Sequence, residues 1–194
     1  NPATPARKDL SHITCFKCGK TGHYAIECSE AKNGNGNGSS GKKPNPFNRG
    51  QVNHVNVEEV EEQPDAVIGK FLVKSFTALV LFDTGASHSY ISRGFVDKFK
   101  LPTLALRTPL LVSSPGAEYM ASRWCDRIPL TIGSHVFPSD LIILESQGLD
   151  VILGMDWLSM YGGNIDCASK SILLTTPEGK GLSMYPGMRR GGLK

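Results

Sequence analysis

Residues 79–92 read LVLFDTGASHSYIS. Four apolar residues, Leu79–Phe82, run straight into a carboxylate, Asp83, followed by a hydroxyl and a glycine. An apolar run of this length closed by a turn signal predicts a buried strand, with Asp83 at its end against the low-dielectric interior. Aspartate is disfavoured in strands, and an unpaired buried charge costs far more than one hydrophobic contact returns. Asp83 is therefore a candidate functional group; the plainer alternative is a surface turn that opens on Asp-Thr-Gly.

Outward from this stretch, short apolar runs alternate with turns. Strands are predicted over 66–73, 76–82, 110–112, 127–132, 135–144, 151–153 and 172–175, which makes the body mainly β. Gly133-Ser134 has the form of a two-residue hairpin loop. Helix is predicted from Ile91 to Lys100, and a short helical turn near Asp156, whose side chain is placed to cap it. Residues 33–50, NGNGNGSSGKKPNPFNRG, offer only Phe47 for burial and read as a flexible linker. The valines and acids of 52–65 suggest a loose first strand and a solvated acidic run.

The chain of 194 residues opens at Asn1, has no signal-peptide pattern, and is read as a segment of something longer. No apolar run approaches the length of a membrane span, so a soluble protein without a membrane partner is expected. The formal charge of +3 hides an asymmetry: residues 1–50 hold eight Lys/Arg against three acids, and the rest holds 13 against 15. A basic front on a near-neutral body points to a polyanion at the front, with solvated lysines as the ordinary alternative. Three of the five cysteines fall in the first thirty residues beside a histidine, which favours metal over disulfides and a reducing compartment.

That cluster is Cys15, Cys18, His23 and Cys28, spaced C-x2-C-x4-H-x4-C. Three thiolates and an imidazole complete a tetrahedral zinc, leaving no open position, so the metal would be structural. Gly19 and Gly22 suit the tight reversals of so short a loop. Folding and zinc binding should be one event, because the module has almost no core of its own. Cys15–Cys28 resembles the retroviral-type zinc knuckle, a binder of single-stranded nucleic acid. The resemblance implies that Phe16 and Tyr24 stack on bases and that Lys17 and Lys20 meet phosphates; the alternative for either aromatic is packing on the knuckle itself, with stacking favoured for Phe16.

Asp83-Thr84-Gly85-Ala86 after an apolar pair is similar to the active-site loop of aspartic proteases. Val151-Ile-Leu-Gly154 resembles the second apolar-apolar-Gly element that packs beneath that loop. In this resemblance residues 113–119 take the place of the flap tip, with Tyr119 against substrate, and 122–133 that of the strand pair after the flap. The similarity to retropepsins spans about 65–176. Together with the knuckle, and with Ile152–Leu158, Ile165–Cys167 and Pro177–Gly179, it resembles the Gag-Pol junction of a plant-type gypsy-class LTR retrotransposon. One glycine in the flap segment, Gly116, and Ser87 in place of a second Asp depart from the retroviral pattern.

Metal-free peptide hydrolysis without a covalent intermediate needs a base for water and an acid for the substrate, which two carboxylates sharing a proton supply. This chain offers one Asp-Thr-Gly, so the second must come from another copy across a two-fold axis. The resemblance implies Asp83 as catalytic residue, Thr84 bracing the loop across the dimer, and Gly85 allowing close approach to substrate. Asp156 lacks the Thr/Ser-Gly that should follow a second catalytic Asp. His88 is read as a surface or helix-start histidine, Cys125 and Cys167 as small buried residues, and Trp124 and Trp157 as core or flap packing.

The expected division is a CCHC zinc knuckle over 12–31, a linker over 32–64, a retropepsin-like, closed-barrel β domain with one or two short helices over 65–177, and a tail over 178–194. The expected function is RNA binding by the knuckle and processing of the chain's own polyprotein by a homodimeric aspartic endopeptidase. Zinc is expected in the knuckle, with no cofactor for the protease. The alternative is a nucleic-acid-binding protein with an inactive, dimerising protease-like domain. An intracellular place is expected, in cytoplasmic virus-like particles or in the nucleus.

Overall fold

The computed structural model describes Ser11 and residues 15–29, 49–52, 67–114 and 117–185. Its strands are β1 (Arg49–Gln51), β2 (Val67–Val73), β3 (Phe76–Phe82), β4 (Tyr90–Ser92), β5 (Leu104–Ser114), β6 (Ala117–Ile132), β7 (His135–Leu144), β8 (Val151–Leu153), β9 (Asn164–Asp166), β10 (Ser171–Thr175) and β11 (Gly181–Met184). Two helices join them, α1 (Arg93–Phe99) and α2 (Met155–Met160). Among the described residues no helix is long and apolar enough to cross a membrane.

The sheet order β1-β5-β6-β2-β3-β8-β4-β7, with a further β6–β7 pairing, joins β6, β2, β3, β8, β4 and β7 into a closed six-stranded barrel. Closure leaves those strands without open edges. Consecutive side chains of β3 enter two different apolar clusters: Val80 and Phe82 join Ile91, Phe95, Leu153 and Trp157, whereas Leu81 joins Tyr90, Trp124, Ile142 and Ile152. Burial of both faces explains why Leu79–Phe82 is uninterrupted rather than alternating. Strands β7 and β8 divide their residues in the same way, Ile143 and Leu153 to the first cluster and Ile142 and Ile152 to the second.

The β5–β6 hairpin leaves the barrel and closes at the Ser114↔Ala117 pair; Pro115 and Gly116, expected at the flap tip, lie outside the described residues. In β6 a register shift between Cys125 and Ile128 puts Arg127 at φ 43°, and its freed N–H donates to Asp140 Oδ1 at 2.9 Å. The β6–β7 turn is the expected hairpin, with Ile132↔His135 paired and Gly133 at φ 62°.

Several expectations change. The helix predicted from Ile91 starts at Arg93, because Tyr90–Ser92 is recruited as β4 between β7 and β8, and Ser92 Oγ caps the helix by accepting from Phe95 N–H at 3.1 Å. Arg49–Gln51, expected within a flexible linker, forms β1 through tertiary pairing with β5. The β domain runs past 177, since β9, β10 and β11 make a small antiparallel sheet reaching Met184, and its Ile172 and Leu174 are buried beside Tyr161. Cys167 is exposed in the turn after β9, not buried; Cys125 is buried. The rest of the expected linker, the acidic run and residues 186–194 lie outside the described residues.

Candidate functional site

Strand β3 delivers Asp83 to the edge of the core, where it is 7% exposed. Its N–H donates to Leu153 O at 2.9 Å, its carbonyl accepts from Ala86 N–H at 3.2 Å, and Oδ1 accepts from Gly85 N–H at 2.8 Å. Oδ2 is buried with no hydrogen-bond partner among the described residues. A buried carboxylate oxygen left unpaired is costly unless a proton or a donor meets it. Thr84 is exposed and borders an open groove with Met155, Leu158, Ser159 and Gly163.

The loop rests on a second element. Strand β8 pairs in parallel with β3, Val80↔Val151 through Phe82↔Leu153, and brings Gly154 beneath Ala86 and His88. Met155 N–H donates to Ala86 O at 2.8 Å, and Gly154 N–H to Ser89 Oγ at 3.0 Å. Asp156, expected to cap its helix, instead ties it to the loop: Oδ1 accepts from Ser89 Oγ–H at 2.6 Å and Oδ2 from Ser89 N–H at 3.1 Å. The helix starts at Met155 with Gly154 as its cap, so Asp156 lies one residue inside, where its carboxylate accepts from Trp157 N–H at 2.7 Å. His88 is neither on the surface nor at a helix start. It is half-buried, its Nδ1 lies 2.9 Å from Ser87 Oγ, and burial lowers it to about 4, so it stays neutral.

Burial raises the Asp156 carboxyl to about 6 from an ordinary 3.8, and the Ser89 and Trp157 hydrogen bonds only partly oppose this. Ionisation therefore costs more in the fold than in the unfolded chain. The contribution of Asp156 to stability is full below 3.8 and is lost as pH rises through about 6. His88 has the opposite sign, losing stability as pH falls from 6.5 towards 4. Denaturant melts of the parent minus those of Asp156→Asn isolate the Asp156 contribution, expected to shift by on the order of 2 kcal/mol between pH 4 and 8. A flat difference would show that the carboxylate pays no burial penalty.

At the front of the chain, the ligand atoms of Cys15, Cys18, His23 and Cys28 all lie within 4.8 Å of one another. Gly19 at φ 76° and Gly22 at φ 96° make the reversals, and Gly19 N–H donates to Cys15 O at 2.7 Å. Burial pushes the Cys15 thiol up to about 12, so a cation is what would hold it as thiolate. A three-sulfur, one-nitrogen set at this spacing fits zinc.

The knuckle is docked on the barrel. Phe16, expected to face bases, is buried edge-on against Trp124, with ring centroids 5.3 Å apart, and 6.2 Å from His88. Lys17 lies over the Trp124 ring and pairs with Asp126 at 3.0 Å and Asp140 at 3.2 Å. The physical reason is that an edge-on aromatic partner removes the Phe16 ring from water without a base. Tyr24 is half-buried and lines a small cavity with Asp140, Asp156 and Trp157, whereas Lys20 is exposed.

The model of the family described as retroviral aspartyl protease matches residues 46–180, about 70% of the chain. The chain belongs to that family. A zinc-knuckle model matches residues 13–30. Similarity also extends to DNA damage-inducible protein 1 of Yarrowia lipolytica (strain CLIB 122 / E 150), 29% identical over 91 residues. That alignment takes 46% of this chain and 23% of the relative, so the chain spans about a quarter of that protein's length. Among solved structures, the retroviral protease-like domain of Ddi1 from Leishmania major aligns with a TM-score of 0.45 at 14% identity, over 56% of this chain and 87% of that one.

Within the retroviral aspartyl protease domain, Asp83, Thr84 and Gly85 form one loop and the four knuckle ligands form one cluster. The nucleic-acid set is divided, since Phe16 and Lys17 are engaged by the barrel while Lys20 is exposed. Sequence reasoning missed Ser89, which joins the loop to α2, and no local signal distinguishes it from Ser87 or Ser92.

Proposed function

We propose that this chain is a polyprotein segment of a retrotransposon, of the plant-type gypsy class, whose protease domain cuts polypeptides as a homodimer with Asp83 of each copy at the two-fold axis. The observation that carries the reading is Asp83 itself: a buried carboxylate at a strand end, held by Gly85 N–H through Oδ1, with Oδ2 unpaired. A second carboxylate sharing one proton with it would satisfy Oδ2 and supply the acid–base pair that peptide hydrolysis needs. In this arrangement one Asp83 activates water and its mate protonates the substrate, exposed Thr84 braces the two loops, and Gly85 lets substrate backbone come close. Specific activity should rise steeply with enzyme concentration in the dilute range, as dimer replaces monomer. Rates strictly linear in enzyme down to the lowest concentrations would refute the shared site.

The knuckle holds structural zinc through Cys15, Cys18, His23 and Cys28 and binds single-stranded RNA or DNA. Phe16 and Lys17 reach a strand only when they leave Trp124, Asp126 and Asp140, so nucleic acid competes with docking. The assembly would act inside the cell, in virus-like particles or the nucleus. In a gel shift with a single-stranded oligonucleotide, chelation is expected to abolish the retarded band and zinc to restore it. A band indifferent to chelator would assign binding to the basic flanks alone.

A further inference from the structure

Strand β1 lies in an unusual place. One side pairs in parallel with β5, Arg49↔Leu111 through Gln51↔Ser113, and Val52 N–H continues the pairing to Ser113 O at 3.0 Å. The other side meets the Asp83 loop. Gln51 O accepts from Ser87 N–H at 2.9 Å and, more weakly, from Tyr90 Oη–H at 3.4 Å, while Gln51 N–H donates to Ser87 Oγ at 2.7 Å. Four residues of chain therefore bridge the protruding hairpin and the loop carrying the buried carboxylate, bonded on both sides through the backbone.

An extended polypeptide binds a protein by this means, adding a strand whose main-chain bonds supply affinity and whose alternate side chains fill pockets. Any strand laid between β5 and Ser87 bonds to a residue only two peptide bonds beyond Gly85, so this groove brings a polypeptide to the Asp83 loop. Its occupant here is the chain itself. We infer that Arg49–Val52 is an internal pseudo-substrate, which fills the substrate groove and sets the shape of the strand the groove accepts; the inference rests on the polypeptide-substrate reading above.

The occupant reports two subsites on one face, since positions two apart share a side. At Gly50 a Cβ would stand 2.6 Å from Tyr90 Oη, 3.0 Å from Leu110 Cδ2 and 3.4 Å from His88 Nδ1, so this subsite admits glycine. Val52 is fully buried, clustered with Ala86, Leu110 and Val112, so the next subsite on that face takes a compact aliphatic side chain. The preferred strand is Gly-x-Val in type. Ser87 is a positioning residue, fixing the strand through its N–H and hydroxyl.

The test uses the full chain with Asp83→Asn, so that nothing is cut, and a peptide copying residues 47–54, FNRGQVNH, titrated calorimetrically. Adding Gly50→Leu should expel the internal strand, and Gln51→Pro, which removes the N–H given to Ser87, serves as a second route. If the groove is open about a tenth of the time in the parent, both variants should bind the peptide about tenfold more tightly than it does. A peptide with leucine at the Gly50 position should not bind. Equal binding to parent and variants, or no binding to either folded variant, would overturn the inference. Tighter binding to both variants without cleavage of any polypeptide by Asp83-containing chains would keep Arg49–Val52 as the occupant of a peptide-binding groove and overturn its role as a pseudo-substrate together with the protease reading.

Discussion

Asp83→Asn is expected to lower peptide cleavage by at least about a thousandfold, within the range that acid–base groups contribute, while the domain stays folded. The substitution keeps the shape of the side chain, and an amide oxygen can still accept from Gly85 N–H, which the carboxylate does at 2.8 Å. It removes the ability to hold or release a proton at the position of buried Oδ2. A sharper form of the experiment mixes the two chains. An excess of the Asn variant added to the parent should suppress its activity, because in the proposed homodimer a mixed pair would carry one carboxylate where two must share a proton. Cleavage that survives the substitution within tenfold, or that is indifferent to the added variant, would move the chemistry elsewhere.

The second large effect is on stability. Gly154→Ala places a methyl group 2.2 Å from His88 O and 2.7 Å from Ala86 O, both backbone atoms of the Asp83 loop. Gly154 has φ −92° and ψ −170°, which alanine adopts without strain, so the whole effect is steric. Neither carbonyl can retreat freely: Ala86 O is bonded to Met155 N–H, and the adjoining Ser89 is held by Asp156. Overpacking against side chains costs about 1–3 kcal/mol, and against fixed backbone the loss should be about 3 kcal/mol or more. Urea unfolding reads it directly. An unchanged midpoint would mean that the loop and Val151–Gly154 are not packed as described.

Both residues were visible in the sequence because each sits where an apolar run meets a residue that the run does not explain. Leu79–Phe82 and Val151–Leu153 announced strands buried on both faces, and the structure pairs them. What could not be read was anything decided by a distant partner. Tyr90–Ser92 is too short and too polar at its ends to signal a strand, and it becomes one only between β7 and β8. Arg49–Gln51 carries linker composition and is ordered by β5 and Ser87. Phe16 has a partner in Trp124, more than a hundred positions away, so local spacing gave no hint of its burial. Asp156 looked like a helix cap because the ligand it serves, Ser89, lies 67 residues upstream.

The parallel pairing of β3 with β8 also bears on timing. Asp83 leaves β3, yet the floor of its loop is made from Leu153, Gly154 and Met155. During synthesis at about 5–20 residues per second, roughly 4 to 14 s separate the emergence of the carboxylate from that of its support. Contacts so distant along the chain form slowly even after both partners are present. A nascent chain therefore carries Asp83 well before it can hold it in place, and no ribosome-bound fragment ending short of Met155 can possess a formed loop.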